Sequence, residues 1–307
     1  MTQRESAAVD QHIELADGRR LGFAEFGNPD GRPLVYLHAL PGSRIEGRLL
    51  HAPALQRGFR VIAPDRPGYG LSDPLAGRAL GDFADDLLAL VGALRLERFA
   101  LLGHGGGAPY AESFAFQHPD RLSAVGVVSG FVPVHDPVVL AAMPWALRLQ
   151  VKLMQRGEPT VWWLAKRRSK RFALALEAAP ERLFAEVERQ IEQHDRALLG
   201  RADVAALVLD SQYEAFRQGP DCVVEELRVL TEPWGFDSTQ VRTHVSLWHG
   251  ERDVMVPAVV ARLHAQRLAK CAPRFYPSHG QMLMFDIAHE VLAELGARPE
   301  PGLEIPA

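Results

Sequence analysis

Apolar and polar positions along the chain change rhythm twice. "HIELADG" and "RLGFAEFG" alternate with the period of two that marks half-buried strands, and the Asp17-Gly18 pair between them is a hairpin signal. "PLVYLHA" and "FRVIAPD" are continuous apolar runs, as in strands covered on both faces of a sheet. Among them lie "SRIEGRLLHAPALQRG", "LGDFADDLLALVGALRL" and "AESFAFQH", where apolar residues recur every three or four positions and predict helices. Ser43 and Glu46 have capping-box spacing, which reads Ser43 as an N-cap rather than a nucleophile. "RFALLG" and "RLSAVGVVSG" continue the strands. This alternation predicts an α/β protein with a mostly parallel sheet covered by helices on both faces.

The rhythm breaks near Phe131. From there to about Gln240 the pattern is helical, and alternation resumes with "HVSLWHG", "AVVARLHAQRLAK", "PRFYP" and "AHEVLAELG". The expected layout is a core made of residues 1–130 and 241–296, a helical cap at 131–240 inserted after the sixth strand, and a disordered Pro-rich tail at 297–307. A cap in that place covers the carboxyl edge of the sheet, where open α/β sheets bind ligands.

Composition narrows the partners. The 307 residues are 47% hydrophobic and 23% charged, an ordinary balance for a globular enzyme. A net charge of −4 argues against nucleic acid or a membrane surface as a general partner. No apolar run approaches the roughly 20 residues of a membrane helix, and the polar start "MTQRESAAVD" is unlike a secretory leader. Cys222 and Cys271 form neither a disulfide framework nor a metal site, and a reducing cytoplasm is the expected setting. In "VWWLAKRRSKR" the Trp pair is expected to close the helical block's own core and the basic residues to form a solvated face; an entrance for anionic ligands is the sharper alternative.

The stretch "LLGHGGGAPY" carries the candidate chemistry. Gly103, Gly105 and Ala108 match a dinucleotide-binding pattern, but several strands and helices precede it and the next strand ends in "VVSG", without the acidic residue that holds a ribose. The other reading is a nucleophile elbow, G-x-S-x-G, a tight strand-to-helix turn with small neighbours. Gly103, Gly107 and Ala108 suit that turn, yet the apex position is Gly105.

"VYLHALPGSR", "APDRPGYGLSD", "LLGHGGG" and "LWHGERDVMVP" occur in order, each after the expected strand. With them the chain resembles capped, esterase/lipase-like α/β-hydrolases from roughly Gln11 to Gly296. The resemblance implies that Asp253 is the triad acid and that Gly105 occupies the nucleophile position. In "SHGQMLMFD" it puts Gln281 at the base position; an alignment shifted by two recruits His279 and loses the glycine before the base. It further implies an oxyanion hole from the backbone N–H groups of Leu40 and Gly106, with Ala39 where the loop usually has a second glycine. Glycine has no oxygen to attack with, and glutamine has no basic lone pair. Asp253 is then expected to accept a hydrogen bond from the Gln281 amide.

His104 and His279 are candidates for proton transfer. His38 and Tyr110 are candidates for contact with substrate, with a structural hydrogen bond as the other reading of His38. Arg44, Arg66 and Tyr69 lie in the rim loops, and His249 reads as structural. The expected function is a non-hydrolytic, non-covalent enzyme of isomerase, lyase or cyclase type, acting on a mid-sized organic molecule under the cap. The alternatives are a ligand-binding or catalytically dead hydrolase homologue, and a residual hydrolase using His279 or His104. No cofactor, metal, nucleic acid or membrane is expected; a homo-oligomer is left open.

Overall fold

The computed structural model describes residues 9–297. The readings of the polar start and the Pro-rich tail fall largely on residues 1–8 and 298–307, outside the described residues. Eight strands form one sheet: β1 (Gln11–Glu14), β2 (Arg20–Gly27), β3 (Arg32–Leu37), β4 (Phe59–Pro64), β5 (Phe99–His104), β6 (Leu122–Val128), β7 (Val245–Gly250) and β8 (Cys271–Tyr276), in the order β1-β2-β4-β3-β5-β6-β7-β8. The predicted hairpin is β1 against β2, with Ile13 opposite Leu21. β2 also pairs antiparallel with β4, and from β4 to β8 every pairing is parallel.

The continuous apolar strands follow from burial on both sides. Val35, Leu37 and Leu101 face one core, with Phe83 and Leu87 of α2 (Asp82–Ala93) and Phe114 of α3 (Ala108–Gln117). Their neighbours Leu34, Tyr36 and Leu102 face the other, with Ala54 of α1 (His51–Arg57) and Leu292 of the last helix. Period-two alternation is present but invisible in a hydropathy pattern, because both faces are apolar.

β3 pairs with β4 on one side and β5 on the other, so the strand order reverses at β3. The loops after β3 and β5 therefore flank a crevice at the carboxyl edge, the switch point at which open α/β sheets bind ligands. Between β6 and β7 stand seven helices: α4 (Pro137–Ala142), α5 (Trp145–Gln155), α6 (Pro159–Ala178), α7 (Pro180–Glu188), α8 (Gln193–Leu199), α9 (Ala202–Ala215) and α10 (Asp221–Thr231). α11 (Ala258–Arg267) follows β7 and α12 (Met284–Ala297) follows β8.

Two local expectations change. The segment after Ser43 is a 3-10 helix, Arg44–Leu50, running into α1, and Ser43 caps it by accepting from the Ile45 amide at 3.4 Å. Glu46 leaves the capping box for partners inside the protein. In α6 the Trp pair divides: Trp162 is half-buried and donates to the Met154 carbonyl at 3.2 Å, whereas Trp163 is exposed with Arg167 over its ring.

Candidate functional site

At the tip of β5 the backbone turns through Gly105–Gly107 into α3. Gly105 has φ of +51°, in the left-handed region that costs most side chains energy. A Cβ at Gly107 would lie 2.2 Å from the Leu37 carbonyl oxygen, so only glycine fits there. A Cβ at Gly105 would instead point into space bounded by Ala39 and the amide nitrogen of Gln281, each 3.3 Å away. Gly106 packs on Leu40: a Cβ there would be 3.6 Å from the Leu40 nitrogen. The turn thus brings the apex, the Leu40 loop and Gln281 together.

The Leu40 loop is braced from beneath. Arg66, fully buried, donates to the His38 and Ala39 carbonyls and to Glu226 of α10 at 2.7 Å. Arg78 pairs with the other Glu226 oxygen, to which Tyr110 donates at 3.1 Å. His38 bonds the Ala39 carbonyl through Nδ1 at 2.8 Å and accepts the Arg66 amide on Nε2 at 3.3 Å. Burial, with the Arg66 charge, pushes its imidazole well below the usual 6.5, so it is neutral. His38 and Tyr110 are therefore scaffold, spent on buried partners and absent from the cavity wall, which corrects the expectation that they face substrate. Arg44 and Tyr69 are likewise buried, Arg44 against Asp65 and Glu214 and Tyr69 against the Cys222 carbonyl.

Asp253 lies in the loop after β7. Its Oδ1 accepts the Met255 and Val256 amides at 2.8 and 2.9 Å, and its Oδ2 is buried without a hydrogen-bond partner among the described residues. Burial pushes the carboxyl up to about 7. His249, beside it, is spent on the Val256 carbonyl at 2.9 Å and is pushed down to about 4 by burial, as a structural histidine should be. Gln281 does not donate to Asp253 as expected. Its amide goes to the Ser129 carbonyl at 3.2 Å, and its Oε1 is a second buried acceptor without a partner among the described residues. The carbonyl at the end of β6 outcompetes a carboxylate already engaged by its own loop. His279 turns away from the apex, to Asp286 at 3.2 Å, so Gln281 is the residue beside Gly105.

One residue escaped the sequence reading. Glu46 swings inward from the 3-10 helix, and its Oε1 accepts from the Tyr36 hydroxyl at 2.6 Å and the Ala39 amide at 3.1 Å. The same oxygen is 2.7 Å from Nδ1 of His104. Burial works to raise the Glu46 carboxyl, but its electrostatic attraction to His104 and the hydrogen bonds from His104, Tyr36 and Ala39 outweigh it and hold it below the ordinary value. Nε2 of His104 has no partner among the described residues. The available signal was an acid amid the apolar residues of "RIEGRLL", masked by its capping-box spacing.

Glu46, His104, Leu40 and Gln281 line a cavity of about 400 Å³, closed on its far side by Phe172, Phe184 and Leu207 of the helical segment. A second cavity of about 640 Å³ lies among α5, α6 and α10 and shares Pro41 and Phe172 with the first. The first has the size and mixed lining that suit a mid-sized organic molecule.

A family model described as alpha/beta hydrolase fold matches residues 32–286. The chain is 35% identical over 124 residues to a non-heme chloroperoxidase from Streptomyces lividans, covering 40% of this chain and 45% of that protein. It is 33% identical over 144 residues to a soluble epoxide hydrolase from Corynebacterium sp. (strain C12), covering 45% of this chain and 49% of that protein. The chain thus matches about half the length of these relatives. An esterase from Exiguobacterium antarcticum superposes with a TM-score of 0.68 at 16% identity, covering 94% of this chain and 98% of that one, a likeness of fold. Among the described residues no helix is long and apolar enough to cross a membrane.

Proposed function

We propose, from the premise that the chain belongs to the α/β-hydrolase fold family, that it is a non-hydrolytic enzyme moving a proton on a mid-sized, largely apolar molecule. The reaction type is isomerase, lyase or cyclase, and no covalent intermediate forms. The observation that carries this reading is the pairing of His104 with Glu46 beside an apex, Gly105, that has no side chain.

Glu46 holds Nδ1 of His104 and leaves the Nε2 lone pair to act as a base. A substrate carbonyl resting on the Leu40 and Gly106 amides would lose a proton from the adjacent carbon to Nε2. The electron pair of the broken C–H bond would pass to the carbonyl oxygen, held by the two amides. Returning the proton to another atom gives an isomer, and expelling a leaving group gives a lyase product. Placed general bases contribute about 10²- to 10⁴-fold, and backbone donors aimed at developing charge add to that without reorganising. Gln281 Oε1, a buried acceptor without a partner among the described residues, would take a hydrogen bond from a substrate hydroxyl or N–H. Asp253, with its carboxyl raised to about 7, supports the loop rather than a base. The helices between β6 and β7 serve as the cap over this cavity. Free Cys222 and Cys271 agree with the reducing cytoplasm as its setting.

The test is incubation with a panel of carbonyl compounds and esters in D₂O, read by mass spectrometry. Deuterium uptake or mass-conserving conversion that disappears in His104→Gln is expected. Products heavier by one water, formed equally by His104→Gln, or stoichiometric fluorophosphonate labelling of a pocket serine, would refute it. Saturable binding with no conversion by the parent would favour the ligand-binding homologue.

A further inference from the structure

Outside the cavity wall, three segments distant in sequence bring their side chains to one point. His194 lies on α8, His279 precedes the Gly280-Gln281 turn, and Asp286 lies in the first turn of α12. Nε2 of His194 is 2.9 Å and Nε2 of His279 is 3.2 Å from the same oxygen, Oδ2 of Asp286. All three donor atoms fall within 4.8 Å of one another, and the two imidazole centroids are 4.0 Å apart.

A tetrahedral ion with ligands at about 2.0–2.1 Å sets its ligand atoms about 3.3 Å apart. The two histidine–carboxylate separations already approach that figure, so small adjustments would admit an ion. The framework is also fixed in advance. Asp195, next to His194, accepts the Gly280 amide at 3.1 Å and the Met282 amide at 3.2 Å, which ties α8 to the segment following His279. Nδ1 of His279 is 3.2 Å from the Ser278 hydroxyl, the kind of outer bond that orients a ligating imidazole. All three side chains are partly exposed, which leaves water free to complete the coordination.

We propose that His194, His279 and Asp286 bind one divalent transition-metal ion that clamps α8 to the loop carrying Gln281. Two imidazoles and a carboxylate suit a borderline cation such as Zn²⁺ rather than Mg²⁺ or Ca²⁺, which prefer all-oxygen sites. This departs from the expectation of no metal, which took cysteines as its guide. The site is independent of the proton-transfer reading, since its ligands lie outside the cavity wall.

Chelator-treated full-length protein should be titrated with Zn²⁺ by calorimetry and with Co²⁺ by visible spectroscopy. The expected result is one equivalent bound, with the intense visible bands of four-coordinate Co²⁺ and a raised Tm. His194→Gln and Asp286→Asn should each weaken binding about tenfold or more. No binding by the parent overturns the proposal, as does one-equivalent binding that both variants retain, since the ion would then sit elsewhere. Circular dichroism of the variants separates lost ligands from lost folding, and the parent titration decides the matter even if one variant does not fold.

Discussion

Two buried carboxylates near the candidate site, Glu46 and Asp253, are treated in opposite ways. On the elbow side, Glu46 accepts from Tyr36 and Ala39 and shares His104, and its carboxyl is held below the ordinary value. In the loop after β7, Asp253 has an equally dry setting, yet its Oδ2 has no hydrogen-bond partner among the described residues, only His249 Nε2 at 3.7 Å, and the carboxyl is raised to about 7. The difference lies in the neighbours rather than in burial. An imidazole, a phenol and an amide converge on Glu46, whereas two loop amides serve only one oxygen of Asp253 and the nearby Gln281 amide is bonded to Ser129. A buried carboxylate stays charged where donors surround it and reverts toward its acid where they do not.

The most forceful way to break this contrast is to give Asp253 an imidazole to hold. Gly105→Ser with Gln281→His should create a nucleophile and a base on the existing turn, with Asp253 available to orient the imidazole. Hydrolysis of short activated esters is expected in the double variant at about 10³-fold above either single variant. Equal initial rates in the parent, both singles and the double, all folded, would mean that the pocket no longer fits a triad. Serine at φ of +51° should cost about 1–3 kcal/mol of stability.

A second prediction attacks the satisfied side. Glu46→Gln removes the charge that three donors converge on, and each hydrogen bond to a charged acceptor is worth about 1.5–3 kcal/mol. Urea unfolding should show that loss, and any His104-dependent deuterium exchange should fall with it. A near-neutral effect on both would make Glu46 a bystander.

The last prediction concerns stability alone and belongs to Asp253→Asn, where a shift of about three pH units corresponds to about 4 kcal/mol. The carboxyl moves from 3.8, its value in a free peptide, to about 7 in the folded protein. Between those values the folded protein keeps a proton that the unfolded chain has released, so Asp253 lowers stability as pH rises through the window. Asparagine cannot ionise and keeps an oxygen for the Met255 and Val256 amides. The variant should therefore gain on the parent between pH 4 and pH 8, as read by urea unfolding at each pH. His249, whose depressed value near 4 gives stability that is lost as pH falls from 6.5, cancels in that difference. A pH-independent difference would mean that Asp253 is ionised throughout.

Much of this frame was legible beforehand because it is written locally. The strand preceding Gly105 and the glycines crowding the turn are short-range patterns, and each is found where the spacing puts it. Side-chain direction was less legible. His38 and Tyr110 sit in the right segments, but Arg66 and Glu226, remote in sequence, decide that they point into the scaffold. Glu46 was hidden by a capping motif that its neighbour Ser43 completes alone. The approach of His194 to His279 depends on how α8 lies over the loop, which periodicity within α8 does not encode.

The bonds from Asp195 to the amides of Gly280 and Met282 have a consequence for timing. One carboxylate on α8 shields two hydrogens on either side of Gln281, so a lifting of that helix would expose both in a single event. Their exchange with solvent deuterium should then proceed at a common rate, and that rate would measure how often α8 lifts from the loop.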